Sequence, residues 1–309
     1  MILFGENAHY THERMLRVLG VAAEAVAQDA CGRMRVDALE RRLLAGGVGT
    51  VVATLGTTSL GALDPIEEIA ALCHAHGVRL HVDAAYGGFF TLLADDVEPG
   101  VERAPFDALR LADPIVVDPH KHGLQPYGCG CVLFSDSAAG RFYAHDSPYT
   151  YFASSELHLG EISLECSRAG ASAAALWATL EALPLTRAGL GVALAAARAA
   201  TLGLERALAD TELAVVVAPA LDIICVFPRL ARASQITARC EAAFDSLAAA
   251  GWHTAKLRVG AAWLAKRHPW IECDEDEVTA LRMVLMKPAH ADVVDELAGV
   301  LREHLLAAS

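Results

Sequence analysis

"VGTVVATLGTTSLGALDPIEEIAALCHAHGVRLHVD", residues 48–83, decides the fold. An apolar run, "VGTVVATL", leads through a turn-rich "GTTSLGALDP" to "IEEIAALCHAH"; Gly77 follows, then a second apolar run that ends in an acid, "VRLHVD". Asp64 is a good helix N-cap and Pro65 fits the first helical position. Glu67 and Glu68 suit the positive end of a helix, and Gly77 suits its C-terminal cap. Strand, helix, strand in that order is a βαβ unit. Its strands read as apolar on both faces, as in a parallel sheet covered by helices.

Outward from this unit the same alternation continues. "MILF" and "HERMLRVLG" make a strand and a helix before it, while "PIVVD" (114–118) and "GCGCVLF" (128–134) read as further buried strands. The N-terminal part is therefore α/β with a mostly parallel, doubly wound sheet, in which ligands sit beyond the C-terminal strand ends. Asp83, Lys121 and the "GTT" of 56–58 lie at such ends. Residues 135–160 carry no clear period apart from a short helical turn around "AAGRFY"; an irregular stretch of that length in a compact chain is usually functional or mobile.

A long Ala- and Leu-rich helical region follows, broken at "LPLTRAG" (183–189), and the Ala repeats of 171–200 read as tightly packed helix. Beyond come strand "LDIICVF", helix "QITARCEAAFDSLAAAG", strand-like "HTAKLRVGAAWL" and "VTALRMVLM", and a last helix "ADVVDELAGVLREHLL". The expected division is a large domain over 1–184 and a small C-terminal α+β domain over 185–309.

The 309 residues are 54% hydrophobic, with a mean hydropathy of +0.34, which is ample for a sizeable core. Charged residues make up 20% and the net charge is −13, which argues against a nucleic-acid surface and suggests a soluble, cytoplasmic protein. No apolar segment reaches the roughly 20 residues of a membrane span, and "MILFGENAHYTHERM" has no leader pattern. The eight cysteines lack zinc or disulfide spacing and read as reduced core residues. "HYTHERM" is not a metal motif, since position 16 is Leu, so no metal site is expected.

Lys121 is the leading candidate for chemistry. A lysine at the end of an apolar strand either reaches solvent or has its pKa lowered and serves as an amine nucleophile. Asp83 is an acid at the end of a buried strand, followed by small residues that leave room for a flat ligand; alone it could equally cap a helix. Together they suggest a lysine that forms a Schiff base with a carbonyl cofactor and a carboxylate that holds a protonated pyridine nitrogen, the arrangement pyridoxal 5'-phosphate requires.

Six stretches, "ENAHYTHERMLRVLG", "ATLGTTSLGALDPIEEIA", "HVDAAYGG", "DPHKHGLQPYGCG", "LECSRAGASAAALW" and "LRMVLMKPAH", cover nearly the whole chain. In content and order they resemble the signature stretches of the group II pyridoxal-phosphate-dependent amino acid decarboxylases, the family of aromatic-L-amino-acid, glutamate, tyrosine and diaminobutyrate decarboxylases. The resemblance implies a type I pyridoxal-phosphate transferase fold and a cytoplasmic homodimer with its active site at the interface, without nucleic-acid or membrane partners. The implied reaction is decarboxylation of an L-amino acid through a Lys121 Schiff base.

It also implies roles for single residues. Asp83 faces the pyridine nitrogen, His9 stacks on the cofactor ring, and Ala85 packs on the ring's other face. Thr57 or Thr58 lies near cofactor and substrate, and His120 contacts the phosphate or the substrate. Tyr151, with Tyr149 as the competing register, protonates the carbon that loses carbon dioxide. Arg168 matches a family arginine with either a structural or a ligand role. His122 stands where many members carry a bulky aromatic residue and receives no role.

Family members also carry, upstream of these stretches, a Gly/Ser/Thr-rich loop at a helix start that cradles the phosphate. No such loop is found in this sequence, and Asp118 stands where some relatives use an uncharged phosphate contact. The expectation is a chain lacking that N-terminal segment and the first strand of the sheet. Two alternatives stand beside decarboxylation: an aldehyde lyase, to which "SRAG" is similar, or an aminotransferase using the same cofactor; and a truncated, non-catalytic remnant.

Overall fold

Leu3 and Phe4 are neighbours on the first strand and point to opposite faces of a sheet, which fixes how the molecule is layered. The computed structural model describes residues 1–95, 97–142, 144 and 170–307. Strands β1 (Ile2–Gly5), β2 (Ala23–Val26), β3 (Thr50–Thr54), β4 (Arg79–Asp83), β5 (Pro114–Val117) and β6 (Cys131–Phe134) form a six-stranded sheet in the order β2-β1-β3-β4-β5-β6. β1 to β5 are mutually parallel, and β6 closes the edge antiparallel to β5. The order reverses between β1 and β3, which is where an α/β sheet opens a crevice at its strand ends.

One face of this sheet is dry. Leu3, Val51, Ala53, Leu80 and Val82 pack against Leu39 and Leu43 of α2 (Val36–Leu44) and against Ile66, Ile69, Ala70 and Cys73 of α3 (Ile66–His76). The α3 residues recur at helical spacing and form one apolar stripe. Each buried Leu or Ile contributes roughly 1.5–3 kcal/mol. On the other face Phe4 and Val52 meet Leu16 of α1 (Thr11–Val18) in a much smaller cluster.

That second face corrects the expectation of strands apolar on both sides. β3 is buried along most of its length, but β4 alternates, and Arg79, His81 and Asp83 share the face that carries Val52 and Thr54. Asp64 is also not the cap of α3. Its carboxylate turns inward and accepts the backbone N–H of Met34 (2.7 Å) and of Thr54 (2.8 Å), tying β3 to the segment before α2. Gly77 does end α3, in the left-handed conformation at φ 63°.

β6 is not a buried strand: Val132, Leu133 and Phe134 are exposed among the described residues. The Ala-rich helices also differ from expectation. α4 (Ala171–Ala182) buries none of its residues, whereas α5 (Gly191–Leu208) buries Leu194, Ala197, Ala200, Thr201, Leu204 and Leu208. Of the seven free cysteines described, Cys73, Cys129, Cys225 and Cys240 are buried; Cys31 and Cys131 are partly exposed, and Cys273 lies on the surface.

A second sheet, four-stranded and antiparallel, has the order β7-β8-β10-β9, with β7 Leu213–Val215, β8 Ile223–Pro228, β9 Ala255–Gly260 and β10 Glu277–Val284. α6 (Ala233–Ala249) and α8 (Val294–Leu306) bury Ile236, Cys240, Leu247, Leu297 and Leu301 in its core. "AAWL" is not an extension of β9 but the start of α7 (Ala261–Arg267). β2, α2 and β7 are elements the sequence patterns did not announce. Among the described residues no helix is long and apolar enough to cross a membrane.

Candidate active site

The strand ladder continues past its formal ends and holds the site loops together. Leu55 N–H bonds the Asp83 carbonyl (2.8 Å), Ala84 N–H the Val116 carbonyl (2.9 Å) and Asp118 N–H the Ala85 carbonyl (3.2 Å). The loops after β3 and β4 touch backbone to backbone: a Cβ on Gly87 would stand 2.2 Å from the Leu55 oxygen, and Gly56 needs φ 94°. Only glycine meets both demands.

Above these loops lies a cavity of about 310 Å³ at the C-terminal ends of β1, β3, β4 and β5. Its lining includes His9 and His12, Thr58, Asp83 and Ala85, and Lys121. Asp83 closes β4, its side chain 12% exposed. Oδ1 accepts the Ala85 N–H (3.1 Å), and Oδ2 is 2.8 Å from His12 Nε2. Burial alone would raise this carboxyl's pKa; the His12 hydrogen bond and charge, the Ala85 N–H and nearby His81 outweigh it and hold Asp83 below its ordinary 3.8. Asp83 is thus an anion in a largely closed place.

Lys121 ends a turn in which its own N–H bonds the Asp118 carbonyl (2.9 Å), and its Nζ lies 3.0 Å from Asp118 Oδ2. His9, half-buried, accepts the Thr11 N–H at Nδ1 (3.3 Å). Burial lowers its pKa and Lys121 lowers it further, so its ring favours the neutral form.

The other expected residues divide. Thr58 lines the cavity, but Thr57 turns away: it is buried, and its Oγ1 accepts the Ala62 N–H at 3.0 Å. His120 does not line the cavity either. Its Nδ1 is 2.8 Å from the Cys129 carbonyl oxygen, and its ring lies 5.2 Å from that of Tyr127. Tyr149, Tyr151 and Arg168 lie outside the described residues.

Four residues of consequence were missed. His12 stands three positions after His9, and its N–H bonds the His9 carbonyl (3.0 Å) in the turn that opens α1; a second histidine so close in the chain was the available signal. His81 and Tyr86 also line the cavity. Tyr86 donates to Asp222 Oδ1 (2.5 Å), and His122 Nε2 lies 3.4 Å from Asp222 Oδ2; His122 and Asp222 are buried, while Tyr86 is partly buried and packs against the cores of both sheets. Burial and the Asp222 charge push the Tyr86 phenol well above 10. His122 therefore has a structural place that the sequence did not suggest.

A larger cavity, about 420 Å³, opens at the opposite ends of β4 and β5 beside Arg79, Asp113 and Arg141. It holds none of the groups above. Among the described residues, no cluster of three or more His, Cys, Asp or Glu side chains is arranged to hold a metal ion.

A mostly parallel sheet with a crevice at its switch point, and a strand-end carboxylate and a lysine lining the cavity there, give the chain the architecture of the type I pyridoxal-phosphate fold. Residues 1–188 match the pyridoxal-dependent decarboxylase conserved domain, and the chain belongs to that family. It is 32% identical over 224 residues to a probable L-tyrosine/L-aspartate decarboxylase of Methanothermobacter thermautotrophicus, covering 72% of this chain and 59% of that protein. It is 30% identical over 305 residues to one from Methanocella arvoryzae, covering 98% of this chain and 70% of that protein. The solved structure of Oryza sativa TDC with PLP and tryptamine superposes with a TM-score of 0.82 at 20% identity, covering 96% of this chain and 61% of that one. The chain thus spans 59% to 70% of the length of these three proteins.

The described residues fit the ring end of pyridoxal phosphate. Asp83 would supply a negative charge for a pyridinium nitrogen, Ala85 would present only a methyl group to a flat ring, and Lys121 would supply the amine. Among the described residues that line the cavity there is no Gly- and Ser-rich helix start to cradle a phosphate.

Proposed function

We propose that this chain carries the catalytic part of a decarboxylase that converts an L-amino acid to its amine and carbon dioxide with pyridoxal phosphate. The single observation that carries the proposal is the Asp83 carboxylate, hydrogen-bonded by His12 and the Ala85 N–H, lining the same cavity as the Lys121 amine. When bound, the cofactor supplies an electron sink for the bond to the departing carboxylate.

The chain's own residues would do the rest. Asp118 Oδ2, 3.0 Å from Lys121 Nζ, steadies that amine before the cofactor arrives. Asp83 holds a proton on the ring nitrogen, which is worth most where water is excluded. His9 and Ala85 bracket the ring, with Thr58 at the cavity wall. Tyr151, or Tyr149 in the competing register, is the proposed acid that returns a proton. The tyrosine/aspartate decarboxylase names of the relatives support an amino acid substrate.

The proposal extends to a cytoplasmic homodimer with its site at the interface and to a division into domains 1–184 and 185–309. The free cysteines and acidic composition support the first location. The exposed apolar edge of β6 supports a second copy. The break between α4 and α5 supports the division, although Leu190 and Leu194 pack with the first sheet, beyond the proposed boundary.

Borohydride treatment of the protein with pyridoxal phosphate, followed by peptide mapping, tests the site. The expected result is cofactor trapped at Lys121 and lost in Lys121→Ala, with carbon dioxide released from at least one L-amino acid. Cofactor trapped at another lysine would sink the proposal; aldehyde or keto-acid products without carbon dioxide would replace decarboxylation with the other reactions.

A further inference from the structure

His12 is built into the site without belonging to its expected machinery. It sits in the first turn of α1, and its side chain is 20% exposed. The ring lies stacked at 6.4 Å from Phe4 and edge-on at 6.3 Å from His81, so strand side chains on the polar face of the sheet fix its plane. Leu16, one turn on, is buried against Phe4 and Val52 and anchors the helix that carries it. From that seat Nε2 meets Asp83 Oδ2 at 2.8 Å.

Each carboxylate oxygen has two acceptor sites. Ala85 N–H occupies one on Oδ1 and His12 one on Oδ2, which leaves capacity on the cavity side for a ring nitrogen. A carboxylate with one hydrogen bond can still rotate; with two, on different oxygens and from different elements, it cannot. We propose that His12 is a positioning residue for Asp83, fixing the carboxylate's orientation and keeping it charged so that it holds the protonated ring nitrogen of pyridoxal phosphate. This role rests on the proposed function above.

The charges facing Asp83 come from every side of the cavity: His12 on α1, His9 on the loop before it, His81 on β4 itself, and Lys121 and Asp118 on the loop after β5. Asp118 alone adds negative charge. Burial is the largest single influence on Asp83 and favours its neutral form, and the His12 hydrogen bond is the largest of the influences that oppose it.

The test is cofactor binding by equilibrium dialysis between pH 5.5 and 8.5, for the wild type, His12→Leu and His12→Gln, with thermal melts to confirm folding. The wild type is expected to retain the cofactor. His12→Leu is expected to weaken binding about tenfold or more at pH 8, in line with loss of a hydrogen bond to a charged group. Its deficit should widen as the pH falls and Asp83 becomes protonated. His12→Gln, which restores an N–H donor, should recover most of the affinity at pH 8. Equal or tighter binding by His12→Leu across the range would overturn the role and make His12 a competitor of the ring nitrogen or mere packing. Failure of the wild type itself to bind would overturn the site assignment and this role with it.

Discussion

The two histidines that flank Lys121 point to opposite tasks. His120 is tied to the Cys129 carbonyl beside Tyr127, whereas His122 is buried between the rings of Tyr86 and Phe90 and faces Asp222. Burial lowers the His122 pKa from the ordinary 6.5; Asp222 raises it in part, and Lys121 lowers it again. With the folded value below the unfolded one, the unfolded chain binds more protons as the pH drops through 6.5. The stability His122 contributes is therefore present above about pH 6.5 and lost as the pH falls through the folded value. Urea unfolding at pH 7.5 and 5.5 is expected to show a smaller acid loss in His122→Phe than in the wild type; an equal loss would mean His122 titrates as in the unfolded chain. Lys121 and Asp83 were legible because a charge at the end of an apolar run is a local anomaly. His12 and Asp222 were not, because the groups that give them meaning lie 71 and 136 residues away in the chain.

At the scale of elements, Asp64 shows how a correct pattern can hide a different job. Its position before Pro65 and two glutamates reads as a cap, and α3 does start there, yet its carboxylate serves two backbone N–H groups across the fold. Burial drives its pKa up to about 6, and the Met34 and Thr54 N–H groups only partly offset that. Losing a cap costs about 1 kcal/mol. Asp64→Ala would instead orphan two buried donors at about 1–3 kcal/mol each. A loss of at least about 2 kcal/mol in urea unfolding at pH 7 is expected, and a loss near 1 would return Asp64 to the capping role. The βαβ alternation was readable because period and punctuation are local. The thin, polar face over β4 was not, because "RLHVD" alternates inside a segment whose neighbours are apolar throughout.

At the scale of the molecule, the second sheet and its helix α7 reach the first at the cavity loop after β3 and at the segment after β2. Arg282 on β10 donates to the Ser59 carbonyl (3.1 Å), next to Thr58, and Trp263 Nε1 on α7 donates to the Asp29 carbonyl (2.7 Å). The site is thus braced by the second sheet, while its other flank carries β6 with Val132, Leu133 and Phe134 exposed, and α4 with Trp177 exposed. α4 is fastened to the segment after Lys121, since Gln125 Nε2 donates to Thr179 Oγ1 (2.8 Å) and Ser172 Oγ to the Gly128 carbonyl (3.3 Å). Apolar groups this large, grouped on one edge strand and one helix, are what an association surface requires and what a solvated edge avoids. If a second copy covers them, charge placed there should separate the copies without unfolding either. Sedimentation of Leu133→Asp is expected to show a monomer where the wild type is a dimer, with the far-ultraviolet spectrum unchanged. Because α4 is hydrogen-bonded to the segment that follows Lys121, the same variant should hold pyridoxal phosphate less tightly. A wild type that is already monomeric at micromolar concentration would remove the second copy from the proposal. A monomeric variant with unchanged cofactor affinity would keep the contact between copies in the wild type but make the site independent of it.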